Sequence, residues 1–255
     1  MRVLAYHRVE PPRDLSWNRV SPGRFERQME LLRREGFRGV PLRELLRSGG
    51  EREVAITFDD GLASAVRHAL PVLARIGFQA TIFVPTAWIG RPNRWDSRLV
   101  GRPVRHAAWE ELEEAAAAGW EIGSHGHTHR DLTTLAEEEA RAELETSRAL
   151  LAGRIGNAPE SIAYPFGRTN DRVARLAREA GYARGCISFM SRAARDPWRI
   201  GRSGVRLFDG DADFLAKVRG GPLETWQAAK DRLAHLFSLG TPRLFHRIRK
   251  VDVLC

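Results

Sequence analysis

Cysteine is nearly absent from this chain: of 255 residues only Cys186 and Cys255 are cysteine. A disulfide framework is therefore excluded as the source of stability. Lysine is almost as scarce. Of 41 basic residues only Lys217, Lys230 and Lys250 are lysine, so the formal net charge of +9 is carried by arginine. So lopsided a ratio reads as the base composition of a genome rather than as a designed basic face. No basic block with interleaved aromatics occurs, which argues against a nucleic-acid partner. An anionic glycan or a membrane surface stays open as a long-range electrostatic partner. No apolar run approaches the roughly 18 residues of a membrane span, so no integral membrane segment is expected. The opening Met1 to Arg8 lacks the roughly 7–15-residue apolar core of a secretion signal. The resulting expectation is a cytoplasmic protein, at most peripheral to a membrane. Internal repeats, low-complexity tracts and linkers are also missing.

What the chain does have is alternation. With 43% hydrophobic residues it can bury the core of one large α/β domain. Val3 to Tyr6 reads as a first strand. Ser21-Pro22 opens a helix, with a capping serine and a proline at the first helical position, that stops near Gly36. Strands are expected over 54–58, 80–84, 120–123 and 161–164. Helices are expected over 62–76, 109–118, 135–151 and 171–180, several of them stopped by glycine at 77, 119 and 181. Strands alternating with helices of this length argue for repeated βαβ units and a parallel sheet. Two segments break the rhythm. Residues 88–106 read as a long ordered loop near the active edge, and from Gly220 onward a helix over 222–239 gives way to a basic tail.

Chemistry gathers in two motifs. Thr57-Phe58-Asp59-Asp60-Gly61 follows the apolar run Val54-Ala55-Ile56, and Ser124-His125-Gly126-His127-Thr128-His129 follows Trp120-Glu121-Ile122-Gly123. Two imidazoles and a carboxylate are a common ligand set for a divalent metal that keeps an open position for water. A second carboxylate beside that metal can handle the proton. Asp59 and Asp60 point in opposite directions if the strand continues, so one can face a metal and the other the attacking water. Taken alone, Asp-Asp-Gly after a strand is equally a turn, and a histidine pair often does no more than face solvent. His125, His127 and His129 would share one face on a strand, whereas on a turn His125 and His129 would pair. Several of these residues fall just after strand C-termini, where ligand-binding loops of parallel α/β folds converge.

In this order the two motifs resemble those of the polysaccharide deacetylases, the NodB-homology domain of carbohydrate esterase family four. Ala163-Tyr164-Pro165-Phe166-Gly167 is similar to the family's third motif, and Tyr6-His7-Arg8-Val9 to the N-terminal stretch of one branch. The resemblance spans residues 1 to about 220 and implies a distorted (β/α) barrel of seven strands, with 221–255 left as a C-terminal helix and basic tail. It implies one divalent metal, zinc by preference with cobalt, nickel, iron or manganese as alternatives, held by Asp60, His125 and His129. Asp59 would be the general base, and His127 a bystander. The substrate would be an N-acetylated sugar or glycan and the products free amine and acetate. A backbone N–H near Phe166 would stabilise the oxyanion, one such donor being worth about 3–4 kcal/mol. Tyr164, Pro165, Phe166 and Trp198 are the expected substrate contacts, and Trp88 and Trp95 are further candidates for sugar stacking, against ordinary packing.

The chain departs from the family pattern at three places. The third motif ordinarily carries an arginine two residues before its proline, pairing with the base; here Ala163 stands there, or Tyr164 if the alignment slides by one, and Arg168 or Arg202 are the candidates to replace it. The fourth motif survives as Asp196-Pro197-Trp198 at altered spacing, ahead of Arg199-Ile200-Gly201-Arg202, which looks like the last barrel strand. The fifth, Leu244-Phe245-His246, lies in the basic tail, so His7 at the end of the first strand is the better candidate than His246 for the general acid. His68, His106 and His235 have no partner motif and read as structural or solvent-facing. Competing functions are a related C–N amide hydrolase with a non-sugar substrate, such as a cyclic imide or ureide, and a non-catalytic glycan-binding relic.

Overall fold

The computed structural model describes residues 1–11, 18–93, 104–188 and 196–219. Trp95, His235, His246, Cys255 and the expected C-terminal helix and tail lie outside the described residues. The strands and helices in chain order are β1 (Val3–Tyr6), β2 (Arg8–Val9), β3 (Arg19–Val20), α1 (Pro22–Arg34), β4 (Arg38–Val40), α2 (Leu42–Ser48), β5 (Glu53–Phe58), α3 (Leu70–Arg75), β6 (Thr81–Val84), α4 (Trp109–Ala117), β7 (Glu121–Ser124), α5 (Glu137–Ile155), β8 (Ser161–Ala163), α6 (Asp171–Glu179), β9 (Arg184–Ile187), β10 (Ile200–Gly201), β11 (Ser203–Gly204) and α7 (Asp211–Arg219).

The main sheet runs β10-β9-β8-β7-β6-β5-β1-β11, with β4 added alongside β5. Every pairing in it is parallel. Its two ends meet in the chain, because β10 and β11 are separated only by Arg202. The stretch 200–204 pairs with β9 through its first half and with β1 through its second. The sheet thereby closes into a barrel with helices outside, as the alternation predicts. The path holds eight strands rather than the expected seven, because the seventh is divided at Arg202, where the closing strand passes from one neighbour to the other.

The strands sort their side chains by alternation. Leu4, Tyr6, Ile56, Phe58, Ile82 and Ile122 belong to the large cluster shared with α1, α3 and α4. Val3, Ala55, Phe83, Ala163, Cys186 and Ile200 share a second cluster with Leu42 and Leu45 of α2, which plugs the N-terminal end of the barrel. Phe83 fits there because Gly123 lies beside it on β7: a Cβ at Gly123 would come within 2.5 Å of the Phe83 ring. At the same end Glu121 is buried, accepting hydrogen bonds from the Arg43 N–H (2.8 Å), the Thr81 hydroxyl (3.0 Å) and the Ser161 hydroxyl (2.6 Å).

Helix starts follow their local chemistry. Ser21 accepts from the Arg24 N–H at 3.3 Å and Pro22 begins α1. The helix expected over 62–76 is instead a π-turn over Ala65–Ala69 running into α3. Pro71 supplies no N–H to the turn before it, which widens in response. No helix of the described residues is long and apolar enough to cross a membrane.

Candidate active site

Strand β5 ends in the first motif. Its register with β1 continues past the last strand residue, since the Asp59 N–H donates to the Tyr6 carbonyl at 2.8 Å. The chain then turns sharply: Asp60 has φ 63° and Gly61 φ 57°. Left-handed backbone at a non-glycine residue is costly and persists where surrounding contacts impose it. The non-glycine residues with positive φ among those described are Asp60, His129 and Phe166, one from each of the three motifs. All three lie on loops leaving strand C-termini at one end of the barrel.

The second motif leaves β7. His125 Nδ1–H donates to the Ala163 carbonyl at 2.6 Å, which leaves its Nε2 lone pair pointing at Asp60. His125 Nε2 lies 3.5 Å and His129 Nε2 3.3 Å from Asp60 Oδ1. One ligand atom from each of the three residues falls within 4.8 Å of the others. Ligands bound tetrahedrally at about 2.0–2.2 Å lie about 3.3–3.6 Å apart, so the two N···O spacings match a common divalent ion. Three buried acceptors facing one another also repel unless a cation, proton or metal, lies between them. The donor set therefore fits a divalent metal, with the Ala163 carbonyl as the outer partner that orients His125.

The loop between the histidines is held from outside the barrel. Glu143 of α5 is buried and accepts from the backbone N–H groups of His127 (2.9 Å) and Thr128 (2.8 Å), and from the Thr128 hydroxyl. His127 turns away, its Nδ1 2.8 Å from the Thr86 hydroxyl. This is a turn in which His125 and His129 pair and His127 does not.

Asp59 points the other way, into the barrel mouth, where Arg202 meets it. The guanidinium donates twice, to Oδ1 at 2.6 Å and Oδ2 at 2.7 Å, and also reaches the Thr57 hydroxyl at 3.1 Å. Arg202 is 1% and Asp59 4% exposed. The arginine also lies over the Phe83 ring, 5.4 Å from its centroid. Arg168, the other candidate, pairs instead with Asp131 at 2.7 Å. The residue standing in for the third-motif arginine is thus Arg202, supplied by the break in the closing strand.

Electrostatics follow from these contacts. Burial pushes the Asp59 carboxyl up, but the charge and hydrogen bonds of Arg202 outweigh it and hold the group below the usual carboxylate range. Burial likewise opposes ionisation of Asp60, but the imidazoles of His125 and His129 facing it outweigh burial and hold it well below that range. Burial lowers His129, whereas at His125 the carboxylates of Asp60 and Asp59 outweigh burial and raise the imidazole. His7, half-buried just after β1, lies near enough for its charge to act on both Asp59 and Asp60.

The third motif supplies the wall. Pro165 is buried, and the Phe166 ring centroid stands 4.9 Å from that of His129. Tyr164 is fully buried in the cluster with Leu132, Ile162 and Val173, and Trp198 packs half-buried against the same cluster. Tyr164 is therefore turned to the core. Trp88 is also committed, its indole N–H donating to the Thr128 carbonyl at 3.2 Å. His106, expected to be structural or solvent-facing, is fully buried and its Nδ1–H donates to the Asp60 carbonyl at 2.7 Å. Burial pulls its pKa down to about 4.

The sequence profile of the polysaccharide deacetylases matches residues 47–185, more than half of the chain. The chain belongs to the polysaccharide deacetylase family. Among relatives of this deacetylase, the putative polysaccharide deacetylase YxkH of Bacillus subtilis is 28% identical over 214 residues, covering 82% of this chain and 71% of YxkH. A poly-β-1,6-N-acetyl-D-glucosamine N-deacetylase of Staphylococcus aureus is 27% identical over 176 residues, covering 64% of this chain. The deacetylase spans 58% of the length of that staphylococcal enzyme in the match. Among solved structures, IcaB from Ammonifex degensii superposes with a TM-score of 0.71 at 25% identity, covering 86% of this chain and 97% of IcaB. The Streptococcus pyogenes deacetylase PplD, solved with acetate, shares the fold at a TM-score of 0.74 and 21% identity, covering 86% and 97% of the two chains.

Sequence reasoning missed two supporting residues of the deacetylase. Glu143 sits beside the buried stripe Ala140, Leu144, Ser147 and Leu151 of α5, and an acid at the edge of such a stripe is a readable signal. His106 carried no signal, since its partner is a backbone carbonyl.

Proposed function

We propose that this chain is a metal-dependent N-deacetylase that hydrolyses the acetamide of an N-acetylated sugar within a glycan. One observation carries the reading: a carboxylate held ionised by a bidentate arginine, Asp59 with Arg202, lies beside a separate Asp-His-His cluster with metal-ligand spacing. Asp60, His125 and His129 would hold a divalent ion, zinc by preference. When bound, that ion supplies a Lewis acid that polarises the acetamide carbonyl and acidifies water. Asp59 takes the proton from the attacking water, and Arg202 keeps the carboxylate ionised between turnovers. The Phe166 N–H donates to the oxyanion formed as water adds to the carbonyl carbon. His7, on the same rim, gives a proton to the departing amine nitrogen, and acetate and the free amino sugar leave. Residues 1–220 would form the catalytic unit.

The names of the relatives support an N-acetylglucosamine polymer as the substrate class. The test is acetate release from N-acetylglucosamine oligomers, lost on chelation and restored by Zn2+ or Co2+. Asp59→Asn should lower kcat about 10²–10⁴-fold while still binding metal. Release of acetate by the chelated protein at the undiminished rate would reject the metal reading. His7→Ala at wild-type kcat would remove His7 as the acid.

A further inference from the structure

Residues 86–91 and 105–107, the described arms between β6 and α4, tie the two candidate metal loops to each other through backbone and side chains alike. The first arm donates to the histidine loop, from the Thr86 N–H to the Gly126 carbonyl (3.2 Å) and from the Ala87 N–H to the His127 carbonyl (2.9 Å). The second arm holds the aspartate loop: the Ala107 N–H donates to the Gly61 carbonyl (2.8 Å), and the Ala63 N–H to the Arg105 carbonyl (3.0 Å). The arms bond to each other, Gly90 N–H to Ala107 carbonyl at 2.9 Å and His106 N–H to Arg91 carbonyl at 2.9 Å. At the centre two side chains complete the frame. Trp88 Nε1–H donates to the Thr128 carbonyl, His106 Nδ1–H donates to the Asp60 carbonyl, and the two rings pack with centroids 6.2 Å apart.

Both accepting carbonyls belong to the peptide beside a strained ligand. The Asp60 carbonyl is part of a residue at φ 63°, and the Thr128 carbonyl belongs to the peptide leading into His129, also at φ 63°. A hydrogen bond to such a carbonyl fixes the rotation of the peptide plane and with it the direction of the adjoining side chain. We propose that Trp88 and His106 form a brace that sets the spacing of Asp60 and His129, making both of them positioning residues for the metal rather than Trp88 a platform for sugar. This inference rests on the metal-binding reading above and assigns to the two arms the task of making two separate loops one binding site.

The experiment measures Zn2+ dissociation constants by competition with a chromophoric chelator, together with the ligand-field absorption of the Co2+-loaded protein, for wild type, Trp88→Phe, His106→Leu and His106→Asn. Trp88→Phe keeps the aromatic face and loses the N–H, while asparagine can place an amide N–H where His106 Nδ1–H stands. Loss of an outer partner of a metal ligand typically costs 10–100-fold in affinity. The expected result is Zn2+ binding weakened about 10-fold or more in His106→Leu and several-fold in Trp88→Phe, a changed Co2+ spectrum in both, and partial recovery in His106→Asn. Should His106→Leu fail to fold, Trp88→Phe and His106→Asn carry the test alone. Wild-type affinity and an unchanged Co2+ spectrum in Trp88→Phe and His106→Leu would overturn the brace, as would a His106→Asn protein no better than His106→Leu. A wild-type protein that binds no metal would overturn the metal reading itself, a result distinct from either.

Discussion

Asp59 and Asp60 are adjacent and chemically identical, yet their surroundings separate them. Alternation along β5 sends Asp59 into the barrel mouth toward Arg202, while the left-handed turn swings Asp60 toward His125 and His129. The first is a carboxylate held ionised by an arginine, and the second presents one oxygen to two imidazoles. A prediction at this scale concerns Arg202. Its removal leaves a buried carboxylate that burial alone would push up. In Arg202→Met the acid limb of the kcat/KM profile therefore moves to higher pH, because Asp59 then protonates sooner as pH falls. Breaking a buried pair by deleting one partner also costs about 3–5 kcal/mol, read as a fall in denaturation midpoint. The sign of the linkage is fixed by the depressed pKa: the pair stabilises the fold above the usual carboxylate range, and that contribution is lost as pH falls below it. Arg202→Lys keeps the charge but loses the two-pronged geometry, so its acid limb should fall between those of wild type and Arg202→Met. An acid limb unmoved in Arg202→Met would show that the arginine does not control the base.

At the scale of elements, helix α5 and strand β7 put the same residue type to different work. Glu143 reaches from α5 to the loop that carries His129, and Glu121 satisfies donors at the opposite end of the barrel. Glu143→Ala should weaken metal binding about 10-fold or more, since the loop loses its anchor. Glu121→Ala should instead lower stability by about 2–4 kcal/mol, leaving two hydroxyls and a helix N–H without their acceptor, with metal affinity unchanged. Chemical denaturation alongside metal titration separates the two, and a shared phenotype would contradict this division. Most elements were legible from apolar alternation and glycine stops, including the strands carrying all three motifs. The π-turn before Pro71 was not, nor was the division of the closing strand, because both depend on which neighbour each backbone group meets.

For the whole molecule, the barrel brings loops from β5, β7 and β8 to one end and places Arg202 beneath them. A ligand that binds only the folded state stabilises it by mass action, by about 2.7 kcal/mol at a hundred times its Kd. Saturating Zn2+ should therefore raise the Tm of the chelated protein, and Asp60→Asn should abolish that rise. A metal-dependent rise persisting in Asp60→Asn would place the ion elsewhere.

By itself the sequence determined the fold class, the family and the residue types of the site, because these are carried by local patterns: apolar periodicity, Asp-Asp-Gly after a strand, and histidines four apart. It left the partner of Asp59 open between Arg168 and Arg202, read His106 as structural or solvent-facing, and offered Trp88, Tyr164 and Trp198 as sugar contacts. Only the tertiary structure shows what these side chains touch. Arg202 is 143 residues from Asp59 in the chain, and the two meet only because the closing strand passes β1 and β9 at that residue. His106 and Trp88 act on carbonyl oxygens, which every residue possesses and no motif records. Contacts of that kind are fixed by the closure of the sheet and the path of its loops.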